Sequence, residues 1–157
     1  MIEVTVAALA AQPFLRGMTP GQLGSLAEAA SDVKFPRGHR IFEDGGPATR
    51  FWLIQSGHVS LEVQVPGGEP VIVDSIRMGE LLGLSWLFPP YRWSLRAVCA
   101  SPVEVFEFDA AAVREHCAAD PAFGYEFSRR VIPVLALRLR GTRARLIASS
   151  HGAASSW

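Results

Sequence analysis

Apolar residues follow two different periods along this chain, and the change between them is abrupt. Near the N-terminus Leu23, Leu26 and Ala30 recur at helical spacing behind Thr19-Pro20. A threonine cap followed by proline at the first helical position marks a helix start, so a helix is predicted over 20–32. From 33 to 108 the apolar positions come in short runs cut by glycine and proline. Val33-Lys34-Phe35 stops at Pro36-Arg37-Gly38, Arg40-Ile41-Phe42 at Asp44-Gly45-Gly46-Pro47, and Phe51-Trp52-Leu53-Ile54 at Ser56-Gly57. Val59-Ser60-Leu61-Glu62-Val63-Gln64-Val65 alternates at period two and ends at Pro66-Gly67-Gly68. Residues 71–76 pair back across that turn as a hairpin. Residues 95–99 and 103–108 add further strands. Many short strands at even spacing predict a sandwich, jelly roll or small barrel. Between Gly79 and Phe88 a helical turn or two interrupts the β pattern.

After 108 the helical period returns. Asp109 caps a short helix over 110–117, and Asp120-Pro121 starts another in which Phe123, Phe127 and Val131 share a face. Pro133 predicts a kink or a new helix start. Leu135, Leu139, Thr142 and Leu146 then step by four, three and four residues, a short seam of the kind that pairs two helices. Gly141 weakens that seam by about 1 kcal/mol relative to alanine. The small, polar residues 149–157 are expected to be a disordered tail. Residues 12–148 are read as one domain.

Composition narrows the function classes. The chain has 157 residues, one domain's length, and at 49% hydrophobic it can bury a core. Lysine plus arginine and aspartate plus glutamate number 15 each, so no net basic field draws it to bulk DNA or to an anionic membrane. No run of about 18 apolar residues spans a membrane. Residues 1–11 carry Glu3 and no basic start, unlike a secretion signal. Cys99 and Cys117 lie far apart and read as small buried thiols of a reducing cytoplasm. His39, His58, His116 and His151 have no metal-ligand spacing, so no metal centre is expected. No nucleophile elbow, paired carboxylate site or Walker motif points to an enzyme. Arg129, Arg130, Arg138, Arg140, Arg143 and Arg145 stand against Glu126 and read as the solvated face of the last helix. Arg96, opposite Leu95 and Ala97, also reads as solvated.

One stretch carries chemistry. Gly79-Glu80-Leu81-Leu82 puts a glycine and a carboxylate at the start of a short apolar segment, and Tyr91-Arg92-Trp93-Ser94 puts a lone arginine at the start of a strand. Backbone N–H groups at a helix start take an anion, an arginine offers it two aligned donors, and a carboxylate accepts from a sugar hydroxyl. Such a set suits a phosphorylated ligand that carries a ribose.

From about Phe14 to Ile147 the chain resembles the cyclic-nucleotide-binding domains of catabolite-activator-type regulators, kinase regulatory subunits and gated channels. The resemblance lies in ordered punctuation: residues 35–42, the turn Glu43-Asp44-Gly45, residues 51–59, and Gly79-Glu80-Leu81-Leu82 as the opening of a phosphate-binding cassette. It implies an α+β, mainly β fold: an eight-stranded β-roll or jelly roll with a short cassette helix and flanking N- and C-terminal helices. It implies a non-catalytic sensor of cAMP or cGMP, needing no cofactor. Glu80 would take the ribose hydroxyl, Gly79, Leu81 and Leu82 would offer backbone contacts, and Arg92 would meet the phosphate. The second half departs from the family pattern. Registered on the strand ending at Ala97, Tyr91 rather than Arg92 stands at the arginine's place. Trp93, beside Ser94, stands where a small residue leaves room. It either stacks on a base, worth about 1–3 kcal/mol, or fills the pocket, leaving a protein-interaction module that binds no nucleotide. Partners expected are the nucleotide, a second copy through Leu135, Leu139 and Leu146, and an effector protein. No DNA is expected, because DNA-binding members carry a further helix-turn-helix domain.

Overall fold

The structure, a computed structural model, describes residues 3–154. Two short helices lead in: α1 (Val6–Ala10) and α2 (Pro20–Glu28). At α2 the Thr19 hydroxyl accepts from the Gln22 N–H while the Gln22 side chain accepts from the Thr19 N–H, a reciprocal cap. Eight strands follow: β1 (Ala30–Phe35), β2 (Arg40–Phe42), β3 (Arg50–Ser56), β4 (His58–Val63), β5 (Val71–Arg77), β6 (Leu81–Leu82), β7 (Arg96–Cys99) and β8 (Val103–Asp109). They form two antiparallel four-stranded sheets, ordered β1-β8-β3-β6 and β2-β7-β4-β5. The rings of Phe42 from the second sheet and Trp52 from the first lie 5.7 Å apart and help fill the space between them. The predicted β-roll is therefore present, and α3 (Ala110–Ala119) and α4 (Pro121–Ala154) pack beside it.

The departures from the predicted elements have physical causes. The helix predicted over 20–32, α2, stops at Glu28 because residues from Ala30 onward pair along β8, from Ala30 opposite Phe108 to Phe35 opposite Val103. The short strand β6 lies where a helical start was expected. The Gly79 N–H donates to the Ile54 carbonyl at 2.8 Å, and the Ile54 N–H donates to the Glu80 carbonyl at 3.1 Å. These bonds stitch the segment onto β3, and only Ser85–Leu87 forms a helical turn. Arg96 is not solvated. It lies on β7 between β2 and β4, opposite Glu62, and its guanidinium pairs with Glu43 at 3.0 Å and Glu62 at 3.6 Å. Gly57, between β3 and β4, shows why that turn needs glycine. Its φ is +82°, and an added Cβ would stand 2.2 Å from the Pro102 carbonyl oxygen.

The last helix differs most. α4 runs 34 residues through Pro133 without a break, so no new helix starts there. Proline there removes one N–H from the ladder. Pro133 and Arg129, whose carbonyl loses that partner, are both exposed, so water can take the donor's place. The helix also continues through Ser149 and Ser150 to Ala154, where a disordered tail was expected; residues 155–157 lie outside the described residues. Its N-terminal third is anchored by Phe123, Phe127 and Val131, all buried. Phe127 meets Phe14, Phe51 and Trp86 edge-on at 5.6–5.7 Å. Among the described residues no helix is long and apolar enough to cross a membrane.

Candidate functional site

The segment after β6, the inner faces of β4 and β5, and α4 enclose a cavity of about 270 Å³. Leu61, Leu82, Trp93 and Leu135 give it apolar walls; Asp74, Ser85, Ser94, Arg138 and Thr142 supply the polar groups. Arg138 reaches it because residues 135, 138 and 142 share one helical stripe, and that stripe faces the roll. The Arg138 guanidinium donates to the Leu81 carbonyl. Burial pulls its pKa down from the usual arginine value, against the opposing pull of the Asp74 and Glu80 carboxylates. One turn pair further on, Arg145 reaches Asp74 at 3.4 Å. Two arginines of α4 thus tie the helix to the roll beside the cavity; Arg138 leaves the solvated face expected for it, while Arg145 stays exposed.

The residues singled out from the sequence divide into two groups. Leu82, Trp93 and Ser94 line the cavity, Leu81 borders it through its carbonyl, and Glu80 stands close enough to act on Arg138. Glu80 is exposed, and its carboxylate accepts from the Arg77 N–H at 3.0 Å. Gly79, Tyr91 and Arg92 do not line the cavity. The Gly79 N–H is already committed to Ile54. Tyr91, at φ +56°, places its ring under the Arg114 guanidinium, 4.6 Å away. Arg92 bridges to Pro47 and donates to the Gly45 carbonyl at 2.9 Å. With the Trp93 ring turned inward, the alternation of an extended chain carries Arg92 outward.

Trp93 is 6% exposed and stacks on Phe42, ring centroids 4.0 Å apart. Gly83 makes room for it: φ there is +97°, and an added Cβ would lie 2.9 Å from the indole. The same indole lines a second cavity of about 420 Å³, shared with His39, Glu43, Trp52 and Glu107. Trp93 is therefore a partition between two cavities. The carboxylates of the second are engaged internally. Burial disfavours the Glu43 charge, but the guanidiniums of Arg96 and Arg40 outweigh it and hold the carboxyl below its usual range. Glu107 accepts from Arg50 and from the Trp52 indole, both at 3.0 Å. Cys99 is buried, which pushes its thiol up to about 11 and leaves it protonated at neutral pH.

The sequence pattern of the cyclic nucleotide-binding domain family matches residues 32–120, more than half of the chain. The chain belongs to the cyclic nucleotide-binding domain family. It is 30% identical over 138 residues to a CRP-like cAMP-activated global transcriptional regulator of Mycobacterium tuberculosis, covering 88% of this chain and 60% of the regulator. It is 34% identical over 103 residues to the acetyltransferase Pat of Mycolicibacterium smegmatis, of which it covers 31%. This chain thus spans less than two thirds of either relative's length. The crystal structure of a protein assigned to cyclic-nucleotide binding from Geobacter metallireducens GS-15 superposes with a TM-score of 0.77 at 26% identity, covering 87% of this chain and 98% of that one. Within this cyclic nucleotide-binding domain, the features that sequence reasoning missed are Asp74, Arg138 and Thr142. The signal for the last two was the spacing of 135, 138 and 142, hidden inside a stretch read as basic surface.

Proposed function

We propose that this chain is a non-catalytic sensor that takes cAMP or cGMP into the 270 Å³ cavity and passes its occupancy to a partner through α4. The observation that carries this reading is the cavity itself. It is bounded by Leu82 and, through its carbonyl, by Leu81 of the segment that resembles the family's cassette, and its far wall is a long helix tied to it by Arg138 and Arg145. Its volume lies just under the roughly 300 Å³ at which small-molecule sites begin. One wall is a helix whose outer half has few buried side chains, so a small outward movement enlarges it. Binding would then shift a balance between two positions of α4. A homodimer through Leu135, Leu139 and Leu146, an unidentified effector protein and a cytoplasmic setting belong to the same reading. It is supported by the exposure of Leu139 and Leu146, 52% and 67%, and by two free thiols; Leu135, 48% exposed, also lines the cavity.

One observation favours a second reading. Trp93 occupies the inside of the roll while Arg92 stays outside the cavity, as expected of a roll that has given up its ligand and serves as an interaction module. Calorimetry with cAMP, cGMP and cyclic dinucleotides separates the two. Saturable binding of cAMP or cGMP supports the sensor. Absence of heat and of thermal shift with every one of them at millimolar concentration overturns it in favour of the module.

A further inference from the structure

We infer that Arg138 of α4 is the cation that holds the ligand's phosphodiester in this chain, a part for which the cassette-side Arg92 is not in position. This rests on the reading of the cavity as a cyclic-nucleotide site and names the residue that gives it its preference for an anion. Arg138 is the one arginine or lysine among the described residues that line the cavity. Arg92 spends its guanidinium on the Gly45 carbonyl, across the turn before β3.

Arg138 is half-buried, and its protein hydrogen bonding leaves donors open. A guanidinium carries five N–H donors, and a single acceptor, the neutral Leu81 carbonyl, is recorded for it among the described residues. Asp74 and Glu80 act on it through their charge without a hydrogen bond to it. Removing a cation from water costs several kcal/mol unless its donors are met. A phosphodiester offers paired oxygens that match the guanidinium fork. The Leu81 carbonyl is a placeholder at the edge of the cassette segment, and an anion entering beside Leu82 would displace or share it.

The consequence is mechanical. Because Arg138 sits on α4, anion binding would be felt by the helix directly. The Arg145–Asp74 pair on the same stripe holds the next turns of α4 to β5. An anion would compete with Asp74 and Glu80 for the field of Arg138, and so weaken the hold of α4 on the roll.

The test compares calorimetric affinities of wild type, R138Q, R138K and R92Q for cAMP, with adenosine as the phosphate-free probe. Losing a charged hydrogen-bond partner costs about 1.5–3 kcal/mol, so R138Q should weaken cAMP about 10- to 100-fold. R138K should fall between, R92Q should stay within about twofold of wild type, and adenosine should bind wild type and R138Q alike. The inference is overturned if R92Q loses as much as R138Q, or if adenosine and cAMP weaken together in R138Q. A second measurement follows the Arg138 Nε–H signal of nitrogen-15-labelled wild type during titration with cAMP and with inorganic pyrophosphate. Should wild type take no cyclic nucleotide, a pyrophosphate-dependent shift of that signal keeps Arg138 as the anion partner while the sensor reading falls. No shift with either anion overturns the inference. If R138Q does not fold, R138K and the wild-type signal decide.

Discussion

Trp93 settles more of this molecule than any other side chain. Its indole packs on Phe42 and beneath Gly83, and it separates a cavity walled by α4 from one that opens toward Glu107. The alternative posed by the sequence was a platform for a base or a plug that fills the pocket. The structure makes it core first, with one side available to a ligand. Replacing it tests that role. W93A should cost about 3–5 kcal/mol of stability, the usual range for an aromatic deleted from a packed core, read as a lower urea midpoint. It should also join the two cavities and weaken any purine selectivity. A loss under about 1 kcal/mol would mean that the ring is not packed as described. At the same scale Arg92 and Tyr91 show what local sequence could not supply. They sit within two residues of Trp93, yet face a turn carbonyl and Arg114 because the indole took the inner position.

At the scale of the element, α4 has two halves with different support. The first is held by buried phenylalanines and by Glu126, which accepts from Arg130 and Arg129. Those hydrogen bonds hold the Glu126 carboxyl below its usual value of 4.5. A carboxyl whose folded pKa is lowered stabilises the fold above its unfolded pKa, and that stability is lost as pH falls through the folded value. The melting-temperature gap between wild type and E126Q should therefore be present near pH 7 and close toward about pH 3. A gap that is constant across that range would sink the assignment. The remainder, from Ile132 onward, exposes Ile132, Leu135, Leu139 and Leu146. Exposed apolar residues in a row along a helix mark a contact surface. Light scattering at tens of micromolar should give a dimer mass for wild type and a monomer mass for L139D. A wild-type monomer at high micromolar concentration would rule the seam out in that range. Nothing local in the sequence indicated that the helix would pass Pro133 unbroken. That depends on the exposure of the carbonyl it deprives.

For the whole molecule, the cavity lies between a roll that is densely cross-linked by strand pairing and a helix held over it by Arg138 and Arg145. A ligand binding there should change hydrogen exchange most in α4 from Leu135 onward and least in β3 and β8. Uniform protection across the chain on adding cAMP would argue against coupling through the helix. The order of short strands, the glycine turns, the helix starts at Thr19 and Asp120, and the family were legible in the sequence. Each rests on interactions within a few residues: a φ that only glycine accepts readily, a cap three residues from its donor, a period of two. Gly57 and Gly79-Glu80-Leu81-Leu82 could be found for that reason. What the tertiary structure alone decided are the long-range choices. Residues 79–82 became a strand because Ile54 was there to pair with them, and Arg96 was paired and half-buried because Glu43 and Glu62 converged on it. Arg138, rather than Arg92, became the cavity's cation because a helix more than forty residues later lies across the roll, and no spacing within the cassette encodes where that helix will pass.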